Sequence, residues 1–424
     1  MAARPIPASG RALAVAALGF FVVTLDAFVA NVALPAIRTD LGGGVTGSQW
    51  VIDGYTLMFA ALLLSAGALS DRFGARQAFG AGLALFVAAS AACGLAPVFG
   101  VLIVGRLAQG AGAAVMMPAS LALIREAYPD AHKRARAIAI WSLGAGVASA
   151  AGPVVGGFLT EISWRTIFYI NLPVGLVALA LLWKVARSPR RQAQFDWLGQ
   201  VSAILGVGAL TFGLIEGGAG GFARPEVILA LALAVVGVVT FLLSQAYGSQ
   251  PMVPLSIFRS RPVAIAVAGG FTFTVAFYGL VFLLSLYLQD VRGLSSLETG
   301  LAFVPMTGLT LFVTLLAPRV AARLGPPRCI ALGQSIMAAG LLTITTALGS
   351  MGGAPVMLLS MLTLLVGLGS SLAVPTLTAL LVGAAAPELA GTASGVLNTA
   401  RQLGGALAVA VFGTLVAHRE TFLD

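Results

Sequence analysis

Two carboxyl groups and one guanidinium stand in stretches otherwise fit for hydrocarbon: Asp26, Asp53 and Arg106. Placing an ionisable group in a membrane span costs at least about 2.5–3.5 kcal/mol on insertion scales, so such a residue usually marks function. An apolar site favours the neutral carboxyl, and a nearby arginine favours the ionised one. A carboxyl held between those influences can load a proton from one side of a membrane and release it to the other. Arg106 would tune the acids. The alternative is a static buried ion pair of Arg106 with an aspartate that only fixes packing.

The elements that position them are set by composition. The chain has 424 residues, 59% hydrophobic and only 9% charged, with a mean hydropathy of +0.99. Soluble domains average about 25% charged, so a water-soluble enzyme, a disordered chain and a secreted disulfide scaffold are excluded. The composition predicts an all-α polytopic membrane protein. Charge-poor runs fall at 12–36, 49–70, 77–96, 99–124, 136–160, 167–186, 197–215, 227–247, 263–288, 299–317, 328–349, 355–384 and 391–417. Most reach the roughly 20 residues that cross a bilayer, which gives thirteen spans. Run one ends in Leu34-Pro35 without a small-residue cleavage site, so no cleaved signal peptide is expected.

With the N-terminus placed in the cytoplasm, seventeen basic residues, Arg4 and Arg191 among them, fall on the inner side and five on the outer side; Arg106 and Arg401 lie inside runs. That bias supports both span count and direction, and it accounts for the +9 net charge without a nucleic-acid partner. At about 1.5 Å per residue, Asp26 lies about 15 Å, Asp53 about 6 Å and Arg106 about 10 Å below the outer surface. Asp53 is therefore expected to be shallow enough to reach water. Cys93 and Cys329 fall near opposite faces, so no disulfide is expected.

An internal repeat is visible. Gly110, Gly112 and Pro118 of run four match Gly367, Gly369 and Pro375 of run twelve at one constant offset. Asp71-Arg72-Phe73-Gly74 likewise resembles Ala322-Arg323-Leu324-Gly325. Runs 1–6 and 9–13 read as two copies of one unit, with runs 7–8 inserted. The expected organisation is a bundle at 1–190, two inserted helices at 191–258 and a second bundle at 259–424. Parallel half-repeats suggest a transporter that rocks about a central site.

Six motifs in order carry a family resemblance: Leu25-Asp26-Ala27-Phe28-Val29-Ala30-Asn31-Val32-Ala33-Leu34-Pro35; Trp50-Val51-Ile52-Asp53-Gly54-Tyr55; Gly67-Ala68-Leu69-Ser70-Asp71-Arg72-Phe73-Gly74-Ala75-Arg76; Arg106-Leu107-Ala108-Gln109-Gly110-Ala111-Gly112; Gly152-Pro153-Val154-Val155-Gly156-Gly157; and Trp164 through Gly175. The chain resembles the major facilitator superfamily, specifically its fourteen-span drug:proton antiporters. The resemblance implies a fourteenth span, so either the second bundle lacks its last helix or the sequence is truncated; on the topology above the C-terminus is outside. It also implies that Asp71 meets the start of run thirteen, where the helix dipole favours an anion, while Arg72 or Arg76 pairs with Glu126, locking the outward-facing state. Plain topogenic charge is the alternative for this loop. Gly152, Pro153, Gly156 and Gly157 would seal a leak path between the halves, or serve generic helix packing.

A cavity for amphipathic compounds wants aromatic and thioether surfaces with few fixed polar contacts. Candidate lining residues are Asn31, Tyr55, Gln109, Met116, Met117, Phe277, Tyr278, Asn398 and Gln402. For any one aromatic, packing or lipid contact is the competing role. Arg401 reads either as part of an inner vestibule or as a snorkelling side chain. Neither lysine follows a glycine, so no phosphate-binding loop of the G-x-x-x-x-G-K type exists. His132 and His418 stand apart, so no metal site is expected, and no nucleophile triad is visible. The sequence therefore predicts no enzyme and no cofactor. It predicts a monomeric carrier in the bacterial cytoplasmic membrane that exports amphipathic drugs or antibiotics in exchange for protons. A dedicated exporter of one endogenous metabolite and a lipid translocase are the alternatives.

Overall fold

Hydrocarbon offers the backbone no hydrogen-bond partners, so each apolar run must satisfy its own peptide groups, and the α-helix does so within one segment. The computed structural model describes residues 8–190, 195–248, 251–350, 354–384 and 390–423. Arg4 and Arg191, counted on the inner side, lie outside the described residues, as does the terminal Asp424. The first seven helices are α1 (Ala8–Leu41), α2 (Gly44–Phe73), α3 (Ala75–Gly94), α4 (Phe99–Ala127), α5 (Ala131–Ile162), α6 (Thr166–Tyr169) and α7 (Asn171–Leu182). A pair follows, α8 (Trp197–Gly220) and α9 (Pro225–Tyr247). The remainder are α10 (Arg261–Leu286), α11 (Ser296–Ala302), α12 (Val304–Leu324), α13 (Pro326–Ser350), α14 (Val356–Ala384) and α15 (Ala390–Leu423).

Among the described residues, eleven helices are long and apolar enough to cross a membrane. Two of the thirteen runs are interrupted, for one reason. Run six breaks at Ile170, between α6 and α7, with Pro173 in the first turn of α7. Run ten breaks at Phe303, with Pro305 in the first turn of α12. Proline lacks the amide hydrogen that would continue the preceding helix, and is tolerated where a new helix starts.

The two copies of the repeat fold alike. In the first bundle α1 packs on α5, α2 on α4 and α3 on α4; in the second α10 packs on α15, α12 on α14 and α13 on α14. The matched glycines sit at matched contacts. A Cβ at Gly110 would strike the Tyr55 carbonyl on α2, and one at Gly367 would strike the Met306 carbonyl on α12. Gly112 lies against Gly82 of α3, and Gly369 against Gly333 of α13. Gly74 (φ 91°) and Gly325 (φ 82°) turn the chain between successive helices at a positive φ that favours glycine. The structure is thus an all-α fold of two pseudo-symmetric bundles. Helix α8 pairs with α9 and also packs against α2 and α15, one helix from each bundle.

The bundles meet most firmly near Arg38. Arg38 Nη2 lies 2.6 Å from Asp290 Oδ1. Ser285 Oγ donates to the Asn31 carbonyl (3.1 Å), Gln289 Nε2 to the Val32 carbonyl (3.1 Å) and Gln49 Nε2 to the Ala410 carbonyl (2.8 Å). The Leu297 amide donates to Glu161 Oε1 at 3.2 Å. Deeper in, Thr307 Oγ1 donates to the Ala150 carbonyl at 3.3 Å. At the opposite end, near Arg72, no hydrogen bond joins the two bundles among the described residues.

Candidate functional site

Asp26, halfway along α1, is fully buried, and four helices converge on it. Arg106 Nη1 on α4 lies 2.5 Å from Asp26 Oδ2. Gln109 Nε2, one turn further along α4, donates to Asp26 Oδ1 at 3.0 Å, and Asn171 Nδ2, the first residue of α7, donates to the same oxygen at 2.7 Å. Ser90 Oγ on α3 accepts from both amides, at 2.8 and 3.3 Å. The guanidinium is held further by the Val51 carbonyl (Nε, 2.8 Å), by Gln109 Oε1 (2.9 Å) and by the Tyr55 ring, 4.5 Å away. A buried pair survives in an apolar interior when its remaining donors and acceptors are also satisfied, and these contacts do that for Asp26.

Asp53 differs in kind. It is also fully buried, but neither carboxylate oxygen has a hydrogen-bond partner. The neighbouring Thr56 hydroxyl donates instead to the Ile52 carbonyl at 3.1 Å. The expectation that Asp53 reaches water is corrected here. Asp53 lies one turn along α2 from Gln49, on the same helix face, and Gln49 is bound to the α15 backbone at Ala410. Depth along the helix is shallow, but α15 covers the face.

The other candidates separate by location. Asn31 is buried where α1 meets α10, its Oδ1 unpartnered. Phe277 and Tyr278 reach across from α10 to Phe28 of α1, with ring centroids 6.2 and 6.4 Å apart. Tyr55 is packed inside the first bundle, its hydroxyl donating to the Val23 carbonyl at 3.0 Å. Gln109 belongs to the Asp26 network rather than to a cavity wall. Met116 is buried against Gly19 and Phe79, and Met117 packs between the first core and the cluster around Trp141, because both lie on faces of α4 turned to neighbouring helices. Asn398 is exposed and Gln402 half-buried on α15.

The expected pairing of Glu126 with Arg72 or Arg76 is not present: among the described residues no ion pair joins them. Ser188, after α7, takes that place. Its hydroxyl donates to Glu126 and accepts from the Arg76 amide (3.0 Å), while Arg76 Nε donates to the Leu182 carbonyl (3.1 Å). The Arg76 side chain is spent within its own bundle. Asp71 and Arg72 are exposed, Gly74 is buried at the turn, and Gly67 is half-buried with open space beside it. The connection into α15, residues 385–389, lies outside the described residues. In α5, Gly152 and Gly156 press on Phe28 and Val29 of α1. Gly157 turns to the other bundle, where a Cβ would stand 2.5 Å from the Ser296 carbonyl, and the Pro153 carbonyl meets Gly300. Cys93 and Cys329 are free and buried, one in each bundle.

Sequence reading missed Asn171, Ser90, Gln49 and Ser285 as functional residues. The available signal was a polar side chain inside or at the edge of an apolar run, and Asn171 also stands two residues before a proline.

Two repeat-related helical bundles, closed on each other at one end and holding charge in the interior, define a membrane transporter. The chain belongs to the Major Facilitator Superfamily, whose sequence profile matches residues 16–409. It is 35% identical over 408 residues to the methylenomycin A resistance protein of Bacillus subtilis, covering 95% of this chain and 87% of that protein. It is 37% identical over 403 residues to the multidrug resistance protein Stp of Mycobacterium tuberculosis, covering 94% of this chain and 74% of that one. The fold is similar to the crystal structure of a bacterial homologue of the human lysosomal transporter Spinster, with a TM-score of 0.69 at 17% identity over 99% of this chain and 86% of that chain. The chain is thus a multi-pass membrane transporter with a small-molecule substrate.

Proposed function

We propose that this protein exports amphipathic drugs or antibiotics across the bacterial cytoplasmic membrane in exchange for protons, by alternating access, as a monomer with its N-terminus in the cytoplasm. The relatives named for resistance to methylenomycin A and to multiple drugs support the cargo class. The loop-charge bias supports the orientation, which makes the Arg38 end the outer one. The reading divides the chain into bundles at 1–190 and 259–424 with an inserted pair at 191–258. It needs no bound cofactor, since the proton gradient supplies the energy.

The observation that carries the reading is Asp53. An unpartnered carboxyl in an apolar interior is costly as an anion and far cheaper as the neutral acid. In this arrangement it lies beneath the contact between α2 and α15. Opening the outer end parts those helices and gives Asp53 access to external water; closing it again carries a proton inward. Asp26, with its charge balanced by Arg106, sets the electrostatics of the first bundle and relays its movement to α3, α4 and α7. Gly157 and Pro153 press the outer ends together so that protons do not leak past. Glu126, Arg76 and Ser188 brace the inner end of the first bundle.

The test is gradient-driven uptake of a panel of fluorescent amphiphiles into inside-out membrane vesicles, for wild type, Asp26→Asn and Asp53→Asn. The reading expects uptake in wild type that collapses with an uncoupler and is absent from both variants. Uptake by both variants equal to wild type would overturn proton coupling through these residues.

A further inference from the structure

The second bundle carries almost no charge within its spans. From Arg261 to Asp290 the interior is uncharged, and from Arg328 to His418 the charged residues are Glu388 and Arg401 alone. Glu388 lies outside the described residues. Arg401 stands about 16 Å along α15 from Ala390. Among the described residues its side chain makes no hydrogen bond and no ion pair, and its Nε is buried without a partner. The guanidinium lies 5.7 Å from the Phe273 ring, and its stem rests on Gly270 of α10.

The neighbours of α15 show which way Arg401 faces. Gly395 and Gly413 mark the side toward Leu64 and Gln49 of α2. Thr414, bound to the Leu214 carbonyl at 2.9 Å, marks the side toward α8. Gly404, against the Phe271 carbonyl, marks the side toward α10. Successive residues turn by about 100°, which puts Asn398 between the α10 side and the α2 side, away from α8. Asn398 is exposed, and its own amide turns back to the Ser394 carbonyl at 3.0 Å. That arc is therefore the uncovered side of α15, turned away from α8, and Arg401 lies about 60° round the helix from Asn398. Tyr278, its ring against Gly405 one turn beyond Arg401, closes the arc toward the sealed end.

Asp26 is neutralised by Arg106 in the first bundle, and Asp53 is covered by α15. The uncompensated charge on that side of α15 is therefore positive. A guanidinium presents paired N–H donors that match a carboxylate, and a buried donor left unpaired gains most from a ligand that satisfies it. Phe273 and Tyr278 supply flat apolar faces beside it.

We propose that Arg401 is the recognition residue for cargo entering from the Arg72 end, and that this cargo is an amphipathic organic anion carrying a carboxylate. The proposal rests on the exporter reading for its direction of loading, but the binding preference does not depend on proton coupling. The test is equilibrium dialysis of the purified full-length protein in neutral detergent at fixed pH. The probes are a matched pair, pyrenebutyrate and pyrenebutylammonium, which share a ring system and differ in charge. Wild type is expected to bind the carboxylate about ten-fold more tightly than the ammonium. Arg401→Lys should keep the preference with weaker binding, and Arg401→Gln should lose it while unfolding at an unchanged temperature. Equal or tighter binding of the ammonium by wild type would overturn the proposal, as would an Arg401→Gln protein that keeps the preference. Should Arg401→Gln fail to fold, Arg401→Lys decides with the wild-type ratio: carboxylate binding as tight in Arg401→Lys as in wild type would overturn the proposal. An ammonium-preferring protein that still exports uphill sinks this inference and leaves the exporter standing; a carboxylate-preferring protein with no gradient-driven uptake does the reverse.

Discussion

Arg106 and Asp26, 80 residues apart in sequence, form a contact of 2.5 Å with neither side chain open to solvent. Removing one partner of such a pair strands the other charge in an apolar interior, at a cost of about 3–5 kcal/mol. Asp26→Ala should therefore lower thermal stability in detergent more than Asp26→Asn, which keeps an acceptor for Asn171 and Gln109. The double variant Asp26→Asn with Arg106→Gln should recover much of the stability but not transport. Stability and transport recovering together would mean that the pair serves packing alone.

Arg38 and Asp290 join the bundles at the surface of the sealed end. An exposed pair is worth about 0.2–1 kcal/mol, so breaking it should shift the balance between closed and open by no more than about five-fold. Asp290→Asn should raise the open fraction, read as spin-label distances across that end, and high salt should mimic the change in wild type. The charge swap Arg38→Asp with Asp290→Arg should restore closure. A swap that stays open would show that the seal depends on the hydrogen bonds of Gln49, Ser285 and Gln289 instead.

Gly157 faces the Ser296 carbonyl with no room for a Cβ. Gly157→Val should hold α5 and α11 apart and leave the Arg38 end open. A cysteine at position 406, buried on α15 one turn inward of Ala410, should then react with an impermeant thiol reagent added from that side, while the same cysteine in the wild-type background stays protected. The native Cys93 and Cys329 are buried and should contribute little background. Equal protection in both backgrounds would remove Gly157 from the closure mechanism.

Much of this architecture is written locally in the chain. The spacing that relates Gly110 and Gly112 to Gly367 and Gly369 comes from one helix–helix contact made twice, so the repeat is readable before the fold is known. Pro173 and Pro305 mark where runs six and ten restart, although hydropathy alone passes over both breaks. The surroundings of the two aspartates are less legible. Asn171 and Ser90 look like ordinary polar residues at helix positions, and only the convergence of α3 and α7 on α1 brings them to Asp26. The cover over Asp53 comes from α15, more than 350 residues later in the sequence, and no local pattern reports it. Tyr55 and Met116 have the chemistry of a cavity wall but sit on faces that the bundle turns inward. Glu126 and Arg76 have complementary charge, yet Ser188 stands between them because the chain returns past α3 after α7.

The most direct measurement compares two modes of transport by the Asp53→Asn protein in proteoliposomes, using an amphiphile that wild type accumulates. One mode is uphill uptake driven by an imposed pH gradient; the other is exchange of labelled for unlabelled substrate with no gradient. Proton carriage by Asp53 requires that the variant lose the first and keep the second. Gradient-driven accumulation at the wild-type level by Asp53→Asn would contradict it.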